Sequence, residues 1–307
     1  MTASCPVIAI VGPTGVGKSA VAEELAVRRR SIVLNADSMQ VYRGMDIGTA
    51  KVPAASRRVE HFGIDLVDPG QAWSAARYQD YARGVIDRAL AAGTGAIVCG
   101  GTGLYLRAAL DVMDFPAGEQ TDNPIRARWE QFLEEYGPDA LFDRLRAADV
   151  RAAALLHPNN TRRVIRALEM HEQGVSYADQ AAGFKQPQPY YDATWFGLTM
   201  PREQLYAAID ARVDGMVAAG LPAEVERLLD GGYAKALTAA AAIGYKELVP
   251  VIRDGASPAD AIDAIKQATR RYAKRQLTWF RADSRVQWID VAGKTAAQIA
   301  DVIGGLL

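Results

Sequence analysis

Cysteine is scarce in this 307-residue chain: Cys5 and Cys99 are the two present. Neither belongs to a Cys-x-x-Cys pair or to any spacing that suits zinc, so a structural metal knuckle and a disulfide framework are both excluded, and buried thiols in a reducing compartment are expected. Long apolar runs are lacking too. No uninterrupted stretch reaches the ~20 residues a membrane-spanning helix needs, and the N-terminal segment has no basic patch followed by an apolar one. A soluble cytoplasmic protein with no membrane partner is the expectation. Charge of one sign is also missing, since Lys plus Arg total 35 against 36 Asp plus Glu, for a formal net charge of −1. That excludes a wholly basic nucleic-acid coat but leaves room for a local basic face. No heptad pattern is present, which points to a monomer, and no internal repeat is visible.

Half of the residues are apolar, enough for a sizeable core, and the length suits two domains. Pro6–Val11 is a short continuous apolar run ending in glycine and reads as a buried parallel strand. Lys18–Arg30 reads as a helix, Ser31–Asp37 as a second strand, Ser74–Ala92 as a serine-capped helix and Gly95–Gly100 as a third strand. This alternation predicts an α/β fold, a P-loop type parallel sheet with helices on both faces. The texture then changes. From Pro124 to about Phe184 the pattern is helical, broken at Gly137-Pro138, His157-Pro158 and Gly174. Strand texture returns at Ala193–Thr199 and Arg285–Asp290. The expected organisation is a core from residues 1–115 and 191–307 with an all-helical insertion at 116–190.

Gly12-Pro13-Thr14-Gly15-Val16-Gly17-Lys18-Ser19 fits the pattern G-x-x-x-x-G-K-[ST] between a strand and a helix, the context that makes it a P-loop. Glycines there let successive N–H groups face phosphate oxygens, the helix N-terminus adds partial positive charge, Lys18 adds a full one, and the Ser19 hydroxyl can ligate Mg²⁺. Asp37 closes the second strand and so faces the same crevice. A carboxylate there can ligate metal, bind ribose or act as a base, and spacing leaves a cap in an Asp-Ser turn equally open. The third strand ends in Gly100-Gly-Thr-Gly103 and supplies no acid, which counts against ATP hydrolysis. Thr102 there offers a hydroxyl. Lys266–Arg285 holds seven basic residues and one acid, with Tyr272, Trp279 and Phe280 interleaved. The density favours phosphate contact, while the helical spacing of Ile262, Ile265, Tyr272 and Trp279 assigns the aromatics to the core. Arg162, Arg163 and Arg166 stand in the first turns of a helix capped by Asn160 or Thr161. That placement opposes the helix dipole and suits an anionic partner.

Together these segments resemble the tRNA dimethylallyltransferases (tRNA isopentenyltransferases). The resemblance is carried by the P-loop, Asp37–Lys51 (DSMQVYRGMDIGTAK), Gly100–Tyr105, Arg162–Glu169, Ile243–Glu247 and Arg270–Arg281 (RRYAKRQLTWFR), which occur in the family's order. Asn160 and Thr161 depart from it, since aspartate and proline are common there. The resemblance implies transfer of a dimethylallyl group from dimethylallyl diphosphate to the exocyclic amine of the adenine 3′ of a tRNA anticodon, with diphosphate leaving. It implies Asp37 as base, Ser38, Met39 and Gln40 around the adenine, and Thr14 to Ser19 with Arg212 on the diphosphate. Ser19 would sit at Mg²⁺, the expected cofactor, and Lys18 and Arg212 would neutralise the leaving group. Thr102, Arg126, Arg162 and Arg163 would contact tRNA, with the insertion clasping the anticodon stem-loop. The alternatives are an adenylate isopentenyltransferase, a P-loop small-molecule kinase, and a tRNA-binding module without catalysis.

Overall fold

The computed structural model describes residues 6–115, 123–184, 186–231, 233 and 239–307. Cys5 lies outside them. The chain divides into two compact units, one from residues 1–110 and 189–307, the other from 111–188.

The larger unit is built on a six-stranded, all-parallel sheet. In chain order its first elements are β1 (Val7–Val11), α1 (Lys18–Arg29), β2 (Ser31–Asn35), β3 (His61–Phe62), α2 (Ala75–Ala91), β4 (Gly95–Gly100) and α3 (Gly103–Leu110). The smaller unit follows, with α4 (Pro124–Ala148), α5 (Val150–Ala153), α6 (Thr161–Glu172) and α7 (Tyr177–Gly183). The larger unit resumes with β5 (Ala193–Thr199), α8 (Arg202–Ala218), α9 (Leu221–Asp230), α10 (Val249–Asp254), α11 (Pro258–Arg281), β6 (Val286–Asp290) and α12 (Ala296–Leu306). The strand order is β3-β2-β4-β1-β5-β6.

Every residue of β1, β2 and β4 is buried, the pattern of parallel strands covered on both faces. One core joins Ile8 and Ile10 of β1 to Val21 and Leu25 of α1, Phe196 and Leu198 of β5, Ile209 of α8, and Ile299 and Ile303 of α12. Helix starts follow the capping chemistry of the chain. Ser74 Oγ accepts the Arg77 N–H at 3.2 Å, and Thr295 with Gln298 forms a reciprocal capping box before α12. The expected strands and their parallel pairing are present. The two-residue β3 is an addition, too short to leave a periodic signal.

The smaller unit is helical. Leu141, Phe142 and Leu145 of α4 pack with Val164, Ile165 and Leu168 of α6. Gly137 breaks α4 with φ 80° and ψ 176°, immediately before Pro138, because proline disfavours helical geometry in its predecessor. Among the described residues no helix is long and apolar enough to cross a membrane.

Candidate active site

Three loops leave the carboxyl ends of adjacent strands β1, β4 and β2, where open parallel sheets bind ligands. They carry the P-loop, the Gly100–Gly103 turn and Asp37. The P-loop is shaped by Gly17, which takes φ 94° as the residue that opens α1. Only glycine adopts that conformation without strain. Lys18 folds back so that Nζ donates to Pro13 O at 2.8 Å. Thr14 is held twice: its N–H donates to Gln276 Oε1 at 2.8 Å and its Oγ1 accepts from Arg212 Nη1 at 2.7 Å. Arg212 comes from α8 and Gln276 from α11, so the loop is clasped from across the sheet edge.

Burial dominates the electrostatics. It lowers the Lys18 ammonium to about 8, with the Arg212 charge pushing the same way and Asp37 opposing. Burial also lowers the Arg212 guanidinium, again opposed by Asp37. A site that confines the Lys18 and Arg212 cations beside the Asp37 carboxylate is primed for an anionic ligand. Cys99 lines the same cleft, and burial raises its thiol to about 12, which makes it inert.

Asp37 follows β2. Its Oδ1 accepts the Met39 N–H at 2.9 Å in an Asx-turn, and the residue also lines the cleft. Ser38 N–H donates to Thr102 Oγ1 at 3.1 Å, which ties this turn to the end of β4. Gln40 Nε2 donates to Thr49 O at 3.0 Å. The strap that follows is fixed by Glu224 of α9, which is 1% exposed. Its carboxylate accepts the N–H groups of Asp46, Ile47 and Gly48 at 2.8–3.1 Å, and the Tyr245 hydroxyl at 2.6 Å.

Two cavities meet here. One, of about 840 Å³, runs over the P-loop, Lys18 and Ser19; the other, of about 420 Å³, is walled by Ser38, Met39, Lys246, Arg271, Tyr272 and Arg275. Thr14, Asp37, Thr49, Arg212 and Met216 belong to both. Ser19 is exposed to the first. No cluster of three or more His, Cys, Asp or Glu capable of holding a metal exists among the described residues.

Of the basic run on α11, Lys266 and Arg270 pair with Asp214 and Asp210 of α8 at 2.6 Å. Arg271, Lys274 and Arg275 are exposed and carry no carboxylate partner among the described residues. Tyr272 is only partly buried and lines the second cavity, and Trp279 is 44% exposed. The assignment of both aromatics to the core is therefore corrected: the apolar stripe of α11 runs through Ala261, Ile265, Ala273 and Phe280 instead.

Arg126, Arg162 and Arg163 belong to the smaller unit. Asn160 precedes α6 without a side-chain cap, and Arg162 and Arg163 are exposed in its first turn. Arg126 is engaged internally: its Nε and Nη2 donate to Glu169 Oε1 and Oε2, both at 2.7 Å. Glu169 is fully buried, so this bidentate pair fixes the guanidinium plane. Gln276 and Glu224 support the site and carry no motif in the sequence, while Tyr272 was assigned there to the core. No local signal marks the first two, because each acts on backbone far away in the sequence.

Residues 40–283 match the family model described as IPP transferase. A tRNA dimethylallyltransferase of Symbiobacterium thermophilum is 45% identical over 294 residues, spanning 95% of this chain and 91% of that one. One from Halalkalibacterium halodurans is 42% identical over 98% of this chain and 97% of its own. Among solved structures, the full-length tRNA isopentenylpyrophosphate transferase of Bacillus halodurans superposes with a TM-score of 0.70 at 42% identity, covering 98% and 96% of the two chains. A eukaryotic dimethylallyltransferase captured acting on tRNA superposes with a TM-score of 0.79 at 28% identity, covering 98% of this chain and 79% of that one. The family match, the long sequence matches and the shared fold agree: the chain belongs to the tRNA dimethylallyltransferases, prenyltransferases of the IPP transferase family.

Proposed function

We propose that the two cavities are the donor and acceptor halves of one prenyl-transfer site, and that the reaction takes place where they meet. The donor is dimethylallyl diphosphate, and the acceptor is the exocyclic N6 amine of the adenine immediately 3′ of a tRNA anticodon. The observation that carries this reading is that Thr14, Asp37 and Arg212 line both cavities. A leaving-group clasp and a carboxylate thus face one another across a single point.

The diphosphate lies on the Gly12–Ser19 loop, with the phosphate charge met by Lys18, by Arg212 and by the N-terminus of α1. The adenine enters through the second cavity, past Ser38 and Met39, beneath the exposed cations Arg271 and Arg275, while Gln40 faces the first cavity. Reaching it requires the base to leave the anticodon-loop stack. The amine nitrogen attacks the first carbon of the prenyl group. The C–O bond breaks and its electron pair leaves with the diphosphate, while the amine proton passes to the Asp37 carboxylate. Lys18 and Arg212 hold the charge that grows on the departing oxygen.

The Ser19 hydroxyl is a hard oxygen ligand exposed to the donor cavity, and the described residues offer no carboxylate cluster beside it. That donor set suits Mg²⁺, which keeps several waters and is held largely by substrate phosphates. When bound, the ion supplies further neutralisation of the leaving group.

The smaller unit supplies phosphate contacts to the anticodon stem through Arg162 and Arg163, whose side chains face solvent. Arg126, locked on Glu169, presents the remaining edge of its guanidinium. Acceptor choice tests the reading. With dimethylallyl diphosphate and Mg²⁺, an unmodified anticodon stem-loop is prenylated and AMP is not. Prenylation of AMP at a comparable rate would overturn the tRNA half of it.

A further inference from the structure

Beyond its bond to Thr14, Gln276 has no part in the chemistry proposed above, yet it is 5% exposed, on a helix whose neighbouring turns carry exposed cations. Both ends of its amide are used. Oε1 accepts the Thr14 N–H at 2.8 Å, and Nε2 donates to Gly101 O at 3.0 Å. The first bond holds the P-loop. The second holds the turn at the end of β4, whose next residue, Thr102, accepts the Ser38 N–H and lies 3.3 Å from Ser38 Oγ. A single amide therefore bridges the donor loop and the turn after β4, and through Thr102 of that turn it reaches the segment that carries Asp37 and Ser38.

The fit is specific to these residues. A Cβ at position 101 would lie 2.0 Å from Gln276 Nε2, so the amide occupies space that only glycine leaves open. Glutamate would match the shape, but it could not donate to Gly101 O, and it would place a negative charge against a loop built for anions. Leucine or methionine would match the volume and leave the Thr14 N–H and the Gly101 carbonyl without partners.

We propose that Gln276 is a positioning residue for prenyl transfer, setting the P-loop at a fixed distance from the Asp37–Ser38 turn. The proposal rests on the assignment of the donor diphosphate to the P-loop. Its consequence is that one loop amide, that of Thr14, is withheld from the phosphates and used to fix the spacing between donor and acceptor.

The test uses the full chain and two variants, Gln276→Met and Gln276→Glu. Binding of inorganic diphosphate with Mg²⁺ is measured by calorimetry, alongside anticodon stem-loop affinity, thermal melting and single-turnover prenylation. Lys18→Ala serves as a separate control for the donor assignment. The expected result is diphosphate affinity weakened about tenfold in Gln276→Met, as befits two lost hydrogen bonds, and more in Gln276→Glu. Single-turnover prenylation slows in both, with stem-loop affinity within about twofold of the parent, since phosphate contacts dominate it. Two results overturn the proposal: wild-type diphosphate affinity and turnover in both variants, or losses in diphosphate and stem-loop binding that track a fall in melting temperature. Unchanged diphosphate binding in Lys18→Ala would instead remove the donor assignment itself.

Discussion

The Lys18 ammonium provides a sharp pH prediction. Burial lowers it to about 8, well below its ordinary 10.5. Lys18 keeps some exposed surface, yet its surroundings are dense enough to disfavour the charge. At pH 7 it is about nine-tenths protonated, and at pH 9 about one-tenth. A bound diphosphate restores the charged form, so donor binding takes up about one proton at pH 9. Affinity for dimethylallyl diphosphate is full below pH 7.5 and falls about tenfold per unit above pH 8. The ceiling, reached if the donor returns Lys18 to 10.5, is about 3 kcal/mol, less what solvent at the exposed surface screens. A terminal phosphoryl group with a pKa of about 6 is about nine-tenths ionised by pH 7, so it contributes little to this window.

Stability of the ligand-free protein moves the other way. The folded value lies below the unfolded one, so between about pH 8 and 10.5 the unfolded chain binds more protons and the Lys18 contribution to stability rises with pH. Lys18→Met removes both slopes. The assay is calorimetric titration of the donor without tRNA from pH 7 to 9.5, in two buffers of different ionisation enthalpy, for wild type and Lys18→Met. Pairing this with denaturant unfolding of both forms isolates the stability slope as their difference. A donor affinity flat across that range, or an identical slope in Lys18→Met, would refute the reasoning.

Asp37→Asn keeps an acceptor for the Met39 N–H and loses the base. Single-turnover prenylation should fall roughly 10²–10⁴-fold with donor and stem-loop binding little changed. Arg212→Ala removes the charge-assisted bond to Thr14 Oγ1 and one cation from the leaving group. Diphosphate affinity should fall about tenfold to a hundredfold, read by calorimetry, and an unchanged value removes Arg212 from the donor site. Glu224→Gln turns one acceptor into a donor facing the backbone N–H groups of residues 46–48. Denaturant unfolding should show a loss of about 2–3 kcal/mol, and a neutral result would mean that the strap does not depend on this carboxylate.

The sheet and the phosphate loop were legible because their signals are local. Fully buried parallel strands read as continuous apolar runs, and eight P-loop positions sit between one such strand and its helix. Asp37 was legible through chain order, since it follows β2 and strand ends converge in a parallel sheet. The break at Gly137-Pro138 was equally local. Gln276 and Glu224 were not legible, because each acts on backbone more than 170 residues away in sequence. Tyr272 and Trp279 were misassigned for a related reason. Their spacing is helical, but the buried stripe of α11 is set by what α11 packs on, and that passes through Ala273 and Gln276. The β3 pairing, two residues long, rests on its neighbour β2 and left no pattern to detect.

The central claim is that this P-loop holds a leaving group and transfers no phosphoryl group. A donor labelled in both the prenyl carbons and the diphosphate phosphorus tests it directly. With Mg²⁺ and an unmodified anticodon stem-loop, the RNA should acquire the carbon label alone, and the phosphorus label should appear in free diphosphate in equal amount. Phosphorus label in the RNA, or diphosphate release without carbon transfer, would contradict the account.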